Sequence, residues 1–247
     1  MSRCAVLLLV LLLIGGRSVL TQTGPAHAPD GGTREIIASI SVPPLPNAPF
    51  SATVTTEWTS YLRDGASRVL RNHRSIARDR QGRVFQERRY FAPDGDRQET
   101  RLTQTEIADP GTRTMAVCDG SRRVCDLRIY TAEPTAPLPP AGPSANGTSY
   151  LTRDALGIRM VNGFEANGTR EVQTIDASAV GTDHPISVVK EFWYSAQLGI
   201  NLFTRRADPR SGIETFTVGG INLAEPDPSL FALPKGAQIV DRRAAAR

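Results

Sequence analysis

The stretch that decides the fold is Phe50-Ser-Ala-Thr-Val-Thr-Thr-Glu-Trp58. Apolar side chains stand at positions 50, 52, 54 and 58, and polar side chains occupy the odd positions between them. Because successive side chains of a strand point to opposite faces, this period of two predicts a β-strand with one apolar and one polar face. The pair Asp64-Gly65 then predicts a turn.

The same rhythm continues towards the C-terminus. Further strands are predicted at residues 67–78, 83–91, 101–108, 112–118, 124–130, 158–161, 169–176, 186–194, 200–207 and 213–223. Helix signals are scarce, and only Thr152–Leu156 is a candidate for one or two helical turns. Many short strands at close spacing predict a mainly β protein, with a single curved antiparallel sheet or half-open barrel of about ten strands and little helix.

The N-terminal residues predict export. Behind Arg3, the run from Ala5 to Ile14 is apolar, but it is too short to span a bilayer as a helix, which needs about 20 residues. With small residues after it, this run predicts a signal peptide over residues 1–28, cleaved after Ala26 or Ala28. An uncleaved anchor is the alternative.

The rest of the chain is predicted to form one domain. Residues 29–49 are rich in proline and predict an extended lead-in, and residues 50–247 predict a single β domain. Within it, residues 131–149 contain five prolines. This segment is predicted to be a long surface loop, which either lies over a groove or is inert.

The net charge and the hydropathy of the chain argue against nucleic acid as a partner and against a membrane-spanning segment in the mature chain. The chain of 247 residues has a formal net charge of +4. Removal of residues 1–28 takes away two arginines and no acidic residue, which leaves +2. A nearly neutral mature chain argues against nucleic-acid binding. No later apolar stretch is long enough to span a membrane, so the mature chain is expected to have no transmembrane segment and to be a monomer.

Two cysteines, Cys118 and Cys125, lie beyond the predicted signal peptide. An even count in an exported protein predicts a disulfide. If Ser121-Arg122 is the tip of a hairpin, the two cysteines face each other directly, within reach of a disulfide. A reactive thiol pair and a metal half-site are the alternatives. A zinc site would lack ligands, because only two histidines remain with them; neither a metal nor a cofactor is expected.

Catalytic motifs are weak. Ser187-Val-Val-Lys190 matches the S-x-x-K pattern of serine acyl-enzymes, but it lies in a predicted strand, where residues three apart point to opposite faces. Asp183 and His184 would complete a triad only if they converged on Ser187, and no nucleophile elbow is present. A binding role is therefore expected, with no catalytic residues.

Arginine is concentrated in one part of the chain. Residues 63 to 101 contain eleven arginines and six acidic residues. Since arginine binds phosphate and carboxylate with a two-pronged fork, Arg71, Arg74, Arg78 and Arg88 are candidate anion-binding residues. The alternative is a solvated sheet face with no ligand.

The last third of the chain carries a series of short motifs. They are Gly168-Thr-Arg170, Trp193-Tyr-Ser195, Asp208-Pro-Arg210, and Glu225-Pro-Asp227 followed by Leu230-Phe231. Their order resembles the LolA-like superfamily of bacterial envelope proteins, and within it an uncharacterised set of exported bacterial proteins. The resemblance covers residues 150–240 and is loose over residues 50–130. It implies a curved antiparallel sheet whose concave face holds acyl chains, with Leu230 and Phe231 plugging the apolar inside.

These observations lead to two functional hypotheses for a periplasmic or secreted protein. The first is a non-enzymatic binding protein that holds a lipid or lipidated partner, such as a lipoprotein, on its concave apolar face. Candidate lining residues are Val54, Trp58, Phe192, Tyr194 and Phe203, and a closed core without a ligand is the alternative for each. The second is an envelope interaction module with a filled barrel, which contacts an anionic envelope component or a protein through its arginine-rich face or its proline-rich loop.

Overall fold

The computed structural model describes residues 40–62, 64–92, 100–132 and 139–243. The predicted signal peptide at residues 1–28 and the first part of the lead-in lie outside the described residues. Within these ranges, no helix has both the length and the apolar character needed to cross a membrane.

The described residues form thirteen strands of one sheet. The strands are β1 (Phe50–Tyr61), β2 (Ser67–Arg78), β3 (Val84–Arg89), β4 (Leu102–Asp109), β5 (Thr114–Asp119), β6 (Val124–Ile129), β7 (Gly142–Pro143), β8 (Ser149–Val161), β9 (Phe164–Ile175), β10 (Ile186–Ser195), β11 (Ile200–Asp208), β12 (Gly212–Asn222) and β13 (Gln238–Asp241). A four-residue helix, α1 (Ala177–Val180), and a 3₁₀ turn at Pro228–Phe231 complete the described elements.

The sheet is curved and does not close on itself. Its strand order is β13-β6-β5-β4-β3-β2-β1-β12-β11-β10-β9-β8-β7, so β13 and β7 form the two edges. Neighbouring strands are antiparallel except β13 and β6, which are parallel. The predicted fold class is confirmed, although the sheet has thirteen strands rather than about ten. The two edge strands, of two and four residues, are too short to show a period of two.

One expectation about secondary structure was wrong. Residues 152–156 do not form helical turns but lie inside β8, where residues 152–155 pair with β9. Thr152, which lies opposite Val172, and Ala155, opposite Thr169, are within this pairing. A long hairpin partner therefore overrides the weak local helix signal, as tertiary context commonly does.

One face of the sheet carries the main hydrophobic core and is called the core face. It is the side of Phe50, Val54 and Ile76, which are almost completely buried. Residues that pair directly across adjacent strands share a face, and the pairings of Val54 with Val218 and of Phe216 with Thr204 extend this face from β1 to β11.

The lead-in packs against the core face. Ile40 belongs to the main core cluster and is fully buried. Arg78, also fully buried, donates to three backbone carbonyl groups, two in this segment and one between β10 and β11. Its Nε donates to Ala48 O at 2.8 Å, its Nη1 to Pro43 O at 3.0 Å, and its Nη2 to Leu198 O at 2.7 Å. Residues 40–48 are thereby fixed over the N-terminal part of the sheet.

A second, smaller core lies on the opposite face of β2 to β6. It consists of Ala77, Phe85, Ile107, Ala116 and Phe231, with Leu127 and Leu230 packed against it. Leu230 and Phe231, which were expected to plug the apolar inside of the sheet, pack on this smaller core and not on the main one. The segment after β12 returns to the opposite face, because Ala77, Phe85 and Ile107 alternate with the core-face residues of their strands.

Candidate ligand-binding site

Five charged residues form a row across the core face of β8 to β12, here called the charged row. In the strand register, Arg153 lies opposite Glu171, Glu171 opposite Lys190, Lys190 opposite Arg206, and Arg206 opposite Glu214. Glu171, Lys190 and Arg206 are each at most 6% exposed. Charges are almost never fully buried unless they are paired, so this row is a feature to explain.

Two arginines of the row, Arg153 and Arg206, form ion pairs. Arg153 Nη2 lies 2.6 Å from Glu171 Oε1, and Arg206 Nη2 donates to Asp208 Oδ2 at 2.6 Å. Asp208 also accepts from Arg210 Nη2 at 2.8 Å. Its hydrogen bonds from Arg210, with the nearby positive charges, lower the pKa of Asp208 to about 2. The carboxylate is therefore a fixed anion at the end of β11.

The pKa of Glu214 is shifted in the opposite direction from that of Asp208. Burial raises the pKa of Glu214, and the positive charge of Arg206 opposes this effect only in part. Within the described residues, Glu214 Oε2 is buried without a hydrogen-bond partner. The charge of Asp208, which lies beside the row, is thus stabilised by its neighbours, whereas burial disfavours the charge of Glu214.

A cavity of about 470 Å³ lies between the proline-rich segment and the core face of β8, β9 and β10. Its lining consists of Pro139, Pro140, Gly142, Pro143, Ser144, Ala145, Ser149, Leu151, Glu171, Gln173, Val188 and Lys190. The volume falls in the range of about 300–1,000 Å³ that is usual for small-molecule sites. Most of the wall is apolar, and the charged row contributes Glu171 and Lys190.

The charged row also anchors the proline-rich segment. Arg153 Nη2, besides its ion pair with Glu171, donates to Pro139 O at 3.1 Å. At the other end of the segment, β7 pairs with β8 through Gly142 and Pro143. The described part of the loop therefore lies over a groove, one of the two possibilities that the sequence left open.

The five candidate lining residues lie elsewhere, and none of them lines this cavity. Val54 and Phe192 are fully buried in the main core, and Phe203 packs against it from the other side of β11. Trp58 lies on the core face at the end of β1 and donates from Nε1 to Ser211 O at 3.0 Å. Tyr194 is half-buried, and this burial raises its pKa.

The four candidate anion-binding arginines do not form an exposed face. Arg74 and Arg78 are buried on the core face, and burial lowers the pKa of Arg78 to about 10. Arg71 Nε lies 2.7 Å from Glu57 Oε2, and Arg88 donates to both carboxylate oxygens of Glu106 at 3.1 and 3.0 Å. Since side chains alternate between the two faces of a strand, Arg74 and Arg78 point to the core face and Arg71 to the other face, and a cluster in sequence is not a cluster on the surface.

The cysteine pair and the catalytic candidates have clear positions. A disulfide joins Cys118 and Cys125, which lie directly opposite each other in β5 and β6. Ser187 and Lys190 are on opposite faces of β10, and Ser187 is exposed. Asp183 and His184 contact each other on an exposed turn. In the described residues, no group of three or more potential metal ligands comes together.

The motif residues have structural partners. Gly168 packs against the indole ring of Trp193. A Cβ atom at this position would come within 2.7 Å of the ring, so the contact requires glycine. Asp208 and Arg210 form the ion pair that ends β11. Asp227 accepts from Ser229 N at 2.8 Å and caps the 3₁₀ turn. The motifs therefore specify the sheet and its C-terminal closure rather than the cavity.

Sequence reasoning missed the charged row. The sequence of β10 does contain a signal for the row. One face of this strand is apolar at Ile186, Val188 and Phe192, and Lys190 lies on that same face, where the alternation predicts an apolar side chain. The register that places Glu171 and Arg206 beside Lys190 is a long-range property and cannot be deduced from one strand.

No family model matches the chain, and no curated protein matches it either. Among solved structures, the chain is similar to MucB in the Pseudomonas aeruginosa MucA/MucB complex, with 15% identity and a TM-score of 0.37. That match covers 78% of this chain and 58% of the other, so the chain spans less than two thirds of that protein.

Two further similar structures come from other bacteria. LprF from Mycobacterium bovis is 11% identical with a TM-score of 0.30, covering 77% of this chain and 90% of that chain. The LolA superfamily protein NE2245 from Nitrosomonas europaea is 11% identical with a TM-score of 0.21, covering 76% and 91%. The latter belongs to the superfamily that the motifs resemble. At these identities and TM-scores, the likeness carries no conclusion about ligand or partner.

Proposed function

We propose that this protein is an exported, non-enzymatic binding protein of the cell envelope, which holds the apolar chain of a lipid or lipidated partner. The observation that carries the proposal is the cavity between the proline-rich segment and β8 to β10, with its mostly apolar wall. Burial of an acyl chain there would be driven by the hydrophobic effect, at about 25 cal/mol for each Å² of apolar surface removed from water.

The charged residues of the cavity fit an amphipathic ligand. Glu171 and Lys190 give the wall one polar side, while Leu151, Val188 and Pro143 give it an apolar side. A few placed polar groups in an apolar pocket are the usual means of fixing a ligand's orientation. The ligand's polar head would lie towards the charged row and its chain along the prolines.

Export is supported by two features. The signal-like N-terminus predicts secretion, and a disulfide persists in oxidising compartments such as the periplasm. We therefore place the mature protein in the periplasm or outside the cell.

The proposal is tested by mass spectrometry of organic extracts from protein purified without detergent from its native envelope. We expect a stoichiometric lipid with the wild type, and its loss with Leu151→Trp, which fills the cavity. The matched control is Tyr150→Trp, because Tyr150 precedes Leu151 on the same strand and is 54% exposed. A clean wild-type extract, with no thermal stabilisation by added lipids, would refute the proposal.

A further inference from the structure

A groove of about 560 Å³ lies between the β5–β6 turn and the segment that leads into β13. Ser121, Arg122 and Arg123 line it from the turn, and Ser229 with residues 232–237 line it from the C-terminal side. Lys235 belongs to the second wall. Three basic side chains therefore border one groove, far in sequence from the candidate anion-binding arginines of β2 and β3.

Both walls of this groove are fixed. The disulfide between Cys118 and Cys125 closes the turn at its base. Inside the turn, the carboxylate of Asp119 accepts from Ser121 Oγ at 2.7 Å and from Arg123 N at 2.9 Å. Gln238 N donates to Arg123 O at 2.7 Å, which ties the C-terminal wall to the turn. A site built on such fixed walls loses little freedom when a ligand binds.

The charges of the groove are not neutralised by the protein. Among the described residues, none of Arg122, Arg123 and Lys235 forms an ion pair, and Arg122 Nε is buried without a hydrogen-bond partner. Two acidic residues that precede the lining residues in sequence are engaged locally, Asp119 in the turn and Asp227 as the cap of Ser229. An anion in the groove would supply the counter-charge that these three basic side chains lack among the described residues.

We propose that this groove binds a phosphate group, through the guanidinium groups of Arg122 and Arg123 and the ammonium group of Lys235. Two arginine forks and one lysine point charge match the several anionic oxygens of a phosphate. The phosphate belongs to a soluble phosphate ester or to a phospholipid head group. This site is separate from the cavity beside β8 to β10 and does not depend on its occupant.

The test uses two phosphate probes with the full mature protein. Glycerol 3-phosphate is titrated by calorimetry, and vesicles of phosphatidylglycerol in phosphatidylcholine are tested by co-sedimentation. Binding of the soluble probe supports a soluble ester as the source, and binding of the vesicles alone supports a lipid head group. In either case binding weakens with rising ionic strength, because the contacts are electrostatic and exposed.

The variant Arg122→Gln/Lys235→Gln is expected to weaken binding at least about tenfold, since it removes two charge-assisted contacts. Lys235→Gln alone, at an exposed loop position, provides a variant that leaves the turn intact. The matched control is Arg113→Gln, because Arg113 is exposed and lies at the other end of β5. Both arginines have a positive φ, 52° for Arg113 and 57° for Arg122. The proposal is overturned if the wild type binds neither probe, or if Arg113→Gln weakens binding as much as the double variant.

Discussion

The two halves of the sheet differ in what lies against their core face. Over β1 to β3, the chain covers itself: Ile40 packs into the main core, and Arg78 binds the lead-in through backbone carbonyls. Over β8 to β10, the proline-rich segment leaves a cavity, and charged residues replace apolar ones on the same face. Burial therefore does not by itself identify a core. The covered half also buries charge, but Arg74 and Arg78 donate to backbone carbonyl groups of the covering segment. Beside the cavity, Glu171 and Lys190 belong to a row of charged side chains.

The largest expected effect concerns the covered half. Arg78→Met leaves three buried carbonyl groups without their donor, and we expect it to lower the free energy of unfolding by about 3 kcal/mol, since each unsatisfied buried carbonyl costs about 1–3 kcal/mol. Urea denaturation measures this change. Arg80→Met is the control, because Arg80 is exposed and its ion pair with Glu225 is 4.0 Å long. Equal stability of Arg78→Met and the wild type would show that the lead-in is not held by these contacts.

The next effect concerns the closure of the opposite face. Phe231 is 7% exposed and packs against the smaller core, so Phe231→Ala is expected to cost about 3 kcal/mol through lost burial and a residual cavity. Thermal unfolding with a two-state analysis measures it. Leu233→Ala, at a position that is 39% exposed, should change stability by less than about 0.5 kcal/mol. If both variants behave alike, the C-terminal segment does not contribute a core.

The third effect concerns Asp208, which lies in the half of the sheet with the charged row. Because its folded pKa of about 2 lies below the ordinary 3.8, ionised Asp208 stabilises the fold above pH 3.8, and this contribution is lost as the pH falls towards 2. Asp208→Asn should therefore cost about 2 kcal/mol at neutral pH and progressively less in acid. Unfolding free energies measured at several pH values test this. A difference that does not change with pH would contradict it.

Replacement of Glu214 is expected to change the free energy of unfolding least, and to raise it where replacement of Asp208 lowers it. Burial raises its folded pKa above 4.5, so the protonated form is favoured in the folded state, and stability falls as the pH rises from 4.5 through the folded pKa. Glu214→Gln removes that fall and should stabilise the protein at pH 7 by less than about 1 kcal/mol. The same pH series checks it, with Asp208→Asn as the comparison. A clear loss of stability at pH 7 would mean that the carboxylate is needed in its charged form.

Much of the fold could be predicted from the sequence because the signal is local. The alternation in Phe50–Trp58 and the turn pair Asp64-Gly65 appear in a short window, and β2 was predicted with the bounds that it has in the structure. The edge strands β7 and β13 were missed, since strands this short carry no periodicity.

The site could not be predicted in the same way. Lys190 shows an irregularity in its own strand, but its meaning depends on the register with Glu171 and Arg206. From the sequence, Arg78 is expected to be a surface charge. In the structure it is buried, and its three carbonyl acceptors belong to residues 30 to 120 positions away in the chain. Such contacts are set by tertiary packing, which a single sequence does not display.

The most direct test of the account is equilibrium binding of a fluorescent long-chain fatty acid to delipidated mature protein. We expect the wild type and Tyr150→Trp to bind with the same affinity at low and high salt, since burial of the chain is apolar, and Leu151→Trp to bind at least about tenfold more weakly. If the wild type does not bind the probe, or if Leu151→Trp binds as well as Tyr150→Trp, the cavity beside the proline-rich segment is not a site for an apolar chain.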